Sequence, residues 1–234
     1  MSELIGVVGS SGTGKSTAIH GNEQLGIQGL DPKSTVIINV AGKPLPFKGW
    51  KKIYTEFKGA EGNYLATNDS MTIIKAMKFI SEKRPEITSL VVDDAQYVMA
   101  FDFMAKALEK GFDKFNVLGK KYFDIFDTGR QLRDDLKVFI LTHSDEVHKD
   151  FEVVRKMKTL GKMIDDKITL EGLFTVLLYT HTEWDDKEEK GSYHFITNRT
   201  ADYPSKSPVG MFDSIKIPND LGYVAEKVDK YNNG

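Results

Sequence analysis

The 234-residue sequence contains no cysteine, which excludes disulfides and thiolate metal centres. It has almost no net charge either: 32 Lys and Arg stand against 34 Asp and Glu, a balance of −2. There is thus no overall pull toward nucleic acid or membrane, and any nucleic-acid contact has to come from a local basic patch. No apolar run approaches the ~18 residues that a membrane-spanning helix needs. The stretch Met1-Ser2-Glu3-Leu4-Ile5 lacks the basic region and long apolar segment of a secretory signal, so a cytoplasmic location without membrane contact is expected. Arginine is scarce. Arg84, Arg130, Arg133, Arg155 and Arg199 are scattered rather than grouped as in the lid of a small-molecule or nucleotide kinase. The histidines (His20, His143, His148, His181 and His194) show no metal-ligand spacing. Nothing resembles a Ser-His-Asp triad.

What is present is 40% hydrophobic and 28% charged residues, ordinary for a globular protein with a core of its own. Apolar runs ending in polar or glycine residues predict buried strands at Leu4–Val8, Thr35–Val40, Ser89–Val92 and Lys137–Thr142. A short helix is expected from Lys15 to about Gln24, and another over 71–83, capped by Asp69-Ser70 and ended by Pro85. Residues 101–135 carry Phe112, Phe115, Tyr122 and Phe126 at helical spacing, which reads as core. Residues 42–64 and 198–218, with their prolines, read as irregular, as does the polar stretch 143–160. A helix is expected near 161–171. Leu173–Thr182 and Tyr193–Thr197 suggest a hairpin around the acidic turn 185–189, and Asn219 is a candidate cap for a last helix. Strands alternating with helices imply an α/β fold: one domain over 1–234, a mostly parallel sheet flanked by helices, with a C-terminal β-hairpin.

The strongest chemical signal is Gly9-Ser10-Ser11-Gly12-Thr13-Gly14-Lys15-Ser16, a complete G-x-x-x-x-G-K-[ST] phosphate loop between a predicted strand and a predicted helix. Its glycines let successive N–H groups turn toward phosphate oxygens, helped by the N-terminus of a following helix. Lys15 is placed to reach the β- and γ-phosphates, Ser16 to ligate magnesium, and Thr17 to extend the nucleotide contact. Leu90-Val91-Val92-Asp93-Asp94 has the form of a strand delivering a carboxylate to that site. Asp93 is the candidate magnesium ligand and Asp94 a candidate for polarising the attacking water, with Glu56 and Glu61 as alternatives. Thr142, with His143 after it, ends a third strand where a polar group can sense the γ-phosphate.

Weaker signals follow. Arg155-Lys156-Met157-Lys158, with Lys162, is the densest basic cluster, either a nucleic-acid contact or a solvated helix face. Arg199 and Lys206 are loop cations of the kind that act on a neighbouring subunit's phosphate in oligomeric ATPases.

Together, Ile5–Ser16, the Asn39–Phe47 stretch with Gly42-Lys43-Pro44-Leu45-Pro46, Val91–Asp94, and Lys206-Ser207-Pro208-Val209-Gly210-Met211-Phe212 resemble phage-encoded nucleotide-binding proteins of the AAA/RecA-core type. Some of that group are associated with single-strand annealing and recombination. The resemblance implies a RecA-like P-loop ATPase core, ATP and magnesium, homo-oligomers with Lys206 reaching a neighbour, and single-stranded DNA met through residues 144–162. One departure is plain: Thr35–Val40 does not end in the glutamate that RecA-type proteins use as catalytic acid. The alternatives are a nucleotide-dependent switch or adaptor with slow hydrolysis, and a small-molecule or nucleotide kinase.

Overall fold

The computed structural model describes residues 1–108, 111, 113–149, 152–160, 168–187 and 190–234. In chain order the elements are β1 (Glu3–Val8), β2 (His20–Asn22), β3 (Ile27–Gly29), β4 (Thr35–Asn39), α1 (Trp50–Ile53), β5 (Tyr64–Ala66), α2 (Ser70–Lys83) and β6 (Ser89–Asp93). Then come α3 (Tyr97–Ala105), α4 (Asp113–Arg130), β7 (Lys137–Thr142), β8 (Ser144–Lys149), β9 (Glu152–Met157), β10 (Val176–Asp185), β11 (Lys190–Ile196), β12 (Lys216–Pro218) and α5 (Leu221–Asn233).

Eight strands form one sheet in the order β12-β11-β10-β1-β7-β6-β4-β5. From β10 to β5 the pairing is parallel; β11 and β12 add antiparallel at one edge. This is the expected α/β class, with the C-terminal hairpin in place. The central strands are apolar on both faces because both faces are covered. Leu4, Val36, Leu90 and Val138 pack toward α2 and α4, whereas Ile5, Ile37, Val91 and Phe139 pack toward α5. Asp69 caps α2 by accepting from Thr72 N at 2.8 Å, as its sequence position predicts.

Several expectations are corrected. No α-helix follows the phosphate loop: Thr17–Ile19 makes one 3₁₀ turn, and the chain then folds into the β2–β3 hairpin. The sequence there places Gly21, Gly26 and Gly29 within nine residues, and Gly26 and Gly29 take left-handed φ of 64° and 71° that a helix cannot use. The polar stretch 143–160 is a second hairpin, β8–β9. The stretches read as irregular contain α1 and β12, and β5 begins on the last residue of the first of them. Of the helix expected near 161–171, residues 161–167 lie outside the described residues, as do Phe112, Lys162, Glu188 and Glu189; Leu170–Leu173 is a 3₁₀ turn.

The cap of the last helix is Asp220, not Asn219. Its carboxylate accepts from Gly222 N at 2.8 Å and Tyr223 N at 3.3 Å, and also from Gln28 N at 2.7 Å and Gly29 N at 3.0 Å. One buried side chain thereby holds α5 to the hairpin that stands where a helix was expected. Asp220→Ala leaves those donors unpaired in a buried place and is expected to lower stability by about 2–4 kcal/mol. A urea midpoint unchanged from wild type would contradict this.

Candidate functional site

The parallel strands β1, β7, β6 and β4 end on one rim, where Gly9, Thr142, Asp93 and Asn39 lie. A cavity of about 390 Å³ opens above it. Ser11, Gly12, Gly14, Lys15, Ser16 and Thr17 line one side, Lys43, Pro44, Pro46, Asp94 and His143 the other, with Leu25 and Tyr193 at the walls.

The loop's shape is enforced sterically. Gly12 and Gly14 have φ of 79° and 88°, the left-handed region that glycine adopts freely. Any side chain at Gly9 would meet Thr180 Oγ1 at 1.7 Å, and one at Gly14 would meet Asn219 Nδ2 at 2.3 Å. Gly9, Ser10 and Thr13 form the loop's back rather than the cavity wall: Thr13 Oγ1 donates to Ser10 O at 2.8 Å and accepts from Thr180 Oγ1 at 2.7 Å. Asn219 Nδ2 donates to Gly14 O at 3.0 Å. The loop is therefore braced from β10 and from the entry to α5.

Lys15 is 5% exposed, and its Nζ donates to Gly9 O and Ser10 O, both at 2.8 Å. Burial pulls its pKa down to about 8, against the raising charges of Asp94 and Asp93. Asp93 is wholly buried. Its Oδ1 accepts from Ser16 Oγ at 2.9 Å, and its Oδ2 is buried without a hydrogen-bond partner. Burial and the neighbouring Asp94 raise its pKa to about 6. A buried carboxylate oxygen with a spare lone pair beside a serine hydroxyl fits a hard divalent cation. Among the described residues no cluster of three or more His, Asp or Glu forms a ready cage, so phosphate oxygens and water would complete the cation's shell.

Asp94 is 1% exposed and has a φ of 59°, the one left-handed non-glycine position among the described residues. That conformation costs about 1 kcal/mol and turns the carboxylate into the cavity. Asp94 Oδ2 pairs with Lys43 Nζ at 2.5 Å, and Oδ1 faces His143 Nε2 at 3.4 Å. Burial pushes the Asp94 pKa up, but the bonds from His143 and Lys43 outweigh it and leave the group below its ordinary value.

Thr142 is tied away from the cavity. Its Oγ1 donates to Gln96 Oε1 at 3.3 Å and lies 3.3 Å from Tyr122 OH, while His143 N donates to the same Gln96 oxygen at 3.3 Å. Of the pair, His143 lines the cavity. Glu56 is exposed and pairs with Lys58 at 3.1 Å, and Glu61 lies on the turn beside it; neither lines the cavity. The basic cluster sits on β9 rather than on a helix. Arg155 pairs with Glu146 at 3.1 Å and lies over the Tyr203 ring, and Lys156 stands opposite Asp145 in register. Arg199 is exposed, and Lys206 bridges to Leu177 at the open side of β10. Among the described residues no arginine lines the cavity.

Lys43, Tyr193 and Asn219 were not singled out as site residues by sequence reasoning. For Lys43 the signal was available: it follows a predicted strand of the parallel sheet, and ligand-facing loops leave such strands at their carboxyl ends.

No protein-family model and no curated protein matches this chain. Among solved structures it is similar to a KaiC-like protein of the hyperthermophilic archaeon Pyrococcus horikoshii OT3, at 10% identity over 85% of this chain and 80% of that one, with a TM-score of 0.40. What the cavity can do follows from its own side chains.

A cation at Asp93 has to displace a proton below the raised pKa of about 6. Binding of a divalent cation at Asp93 is therefore expected to weaken as the pH falls through that value, by up to about tenfold per unit below it. Titrating binding from pH 7.5 to 4.5 checks this, with Asp93→Asn expected to abolish the dependence.

Proposed function

We propose that the protein binds ATP with magnesium in this cavity and hydrolyses it. The observation that carries the proposal is the Ser16–Asp93 hydrogen bond beside the loop that holds Lys15, with Asp93 Oδ2 buried and unpartnered. In this reading Lys15 exchanges the carbonyls of Gly9 and Ser10 for phosphate oxygens, and the loop N–H groups from Gly12 to Thr17 take the rest. Ser16 and Asp93 hold the magnesium, which neutralises charge on the terminal phosphates. Asp94 and His143 orient the attacking water, and Thr142 acts through Gln96 as a positioning residue for His143.

The finer assignment is a phage-type ATPase acting on single-stranded DNA in annealing or recombination. It is supported by where the β8–β9 hairpin springs from: Ser144 N donates to Gly9 O at 3.2 Å, and Ser144 Oγ lies 3.1 Å from Ser10 Oγ. A partner on residues 144–162 would thus be coupled to the phosphate loop. Arg199 and Lys206 act, in this reading, on the nucleotide of a neighbouring copy.

A second reading is favoured by two observations. Asn39 stands at the end of β4, beside Asp93, in place of a glutamate, and Arg155 is already spent on Glu146 and Tyr203. These suit a slow nucleotide-dependent switch that engages a protein partner.

Steady-state ATP hydrolysis with magnesium, with and without single-stranded DNA, separates the two. Turnover well below the ~10 s⁻¹ of a median enzyme, raised by DNA and lost in Lys15→Ala, is expected. Binding without any response to DNA at low salt transfers the assignment to the switch, and failure to bind nucleotide at all overturns both.

A further inference from the structure

Lys43 is unexplained by the phosphate loop itself. It sits on the segment after β4, and the sheet order places β7 and β6 between that strand and β1. The strand that leads to Lys43 therefore lies three strand spacings of ~4.8 Å from the one that leads to the phosphate loop, and the side chains of Lys43 and Lys15 reach into the same cavity from different strands, with Asp94 also lining it.

Its segment is built to hold that position. Asn39, wholly buried, accepts from Gly42 N at 2.8 Å and donates to Lys43 O at 2.7 Å. Gly42 takes a left-handed φ of 67°, which lets the chain reverse over the rim. Leu45 is buried, and Phe47 stacks on His20 with ring centroids 4.5 Å apart. The backbone is pinned on both sides of Lys43, yet the side chain is 53% exposed and its ammonium reaches into the cavity to Asp94. A backbone held this firmly under a long, half-exposed cation suits a group that changes partner.

Resting on the nucleotide reading above, we propose that Lys43 is a second phosphate cation, specific for the third phosphate and held on Asp94 until that phosphate arrives. A nucleotide anchored at Lys15 runs its chain along the rim toward Asp93, and only the terminal group of a triphosphate comes within reach of Lys43. When Nζ moves to that phosphate it leaves Asp94 Oδ2 facing the cavity, with His143 still at Oδ1. The same ammonium thus reports the γ-phosphate and uncovers the carboxylate that faces it. A diphosphate leaves the Lys43–Asp94 pair closed.

The test measures magnesium-dependent binding of a non-hydrolysable ATP analogue and of ADP by calorimetry, in wild type and in Lys43→Met, Lys43→Arg, Asp94→Asn and the double variant Lys43→Met/Asp94→Asn. Lys43→Met is expected to weaken the triphosphate analogue about ten- to hundredfold, the scale of a lost charge-assisted hydrogen bond. ADP should change by less than about threefold, and Lys43→Arg should recover most of the loss. Asp94→Asn should strengthen the triphosphate analogue when Lys43 is present and not when it is Met, since the gain comes from releasing the ammonium. Equal effects of Lys43→Met on both nucleotides, or no effect on either, overturn the proposal. So does an Asp94→Asn gain that survives in the double variant, because plain charge repulsion then accounts for it. Wild-type protein that binds neither nucleotide overturns the phosphate-loop reading itself, a result distinct from the others.

Discussion

Three charged side chains, Lys15, Asp93 and Asp94, are almost wholly removed from water at one end of the sheet, and none of them could be buried there alone. Isolated ions in a protein interior cost several kcal/mol each. Here they offset one another, with Lys43 adding a positive partner and His143 facing Asp94 Oδ1 at the open side. The compensation is incomplete. Asp93 keeps a raised pKa and an oxygen without a partner, and Lys15 a lowered one. An arrangement that still lacks positive charge at Asp93, and anions at Lys15, suits the cation and phosphate of the proposed reading. The left-handed backbone of Asp94 is local strain that the surrounding contacts hold in place.

The surrounding fold supplies rigidity where a simpler P-loop would use a helix. With only a 3₁₀ turn after Ser16, the phosphate loop is not followed by a helix long enough to supply a dipole of useful strength. The brace comes instead from the far end of the chain, through Asn219 on Gly14 and Asp220 on the β2–β3 hairpin. Loss of the helix dipole also raises the weight carried by discrete cations, which is the setting in which a second lysine at the rim matters.

The sheet was legible in the sequence because its central strands are continuous apolar runs with sharp polar ends. Leu4–Val8, Ser89–Val92 and Lys137–Thr142 fall within a residue of β1, β6 and β7. The phosphate loop and the Asp93-Asp94 strand end were legible because their chemistry is local. Three-residue β5 and β12 were not, since they are made by pairing with an existing edge rather than by any pattern of their own. The β8–β9 hairpin hid in a polar segment because its strands pair with each other off the main sheet. Lys43 and Asn219 reach the site only through tertiary folding, from 28 and 204 positions beyond Lys15 (43 − 15 and 219 − 15). No spacing rule spans such separations.

β8 begins two residues after Thr142 and is bonded to the back of the loop at Gly9 and Ser10, so the hairpin's base and the phosphate loop form one connected unit. The most direct measurement is a crystal structure with a non-hydrolysable ATP analogue and manganese, located by its anomalous signal. One metal is expected beside Ser16 Oγ and Asp93, with Lys15 Nζ moved off the carbonyls of Gly9 and Ser10. A nucleotide bound elsewhere, or one whose metal lies away from Ser16 and Asp93, would contradict it.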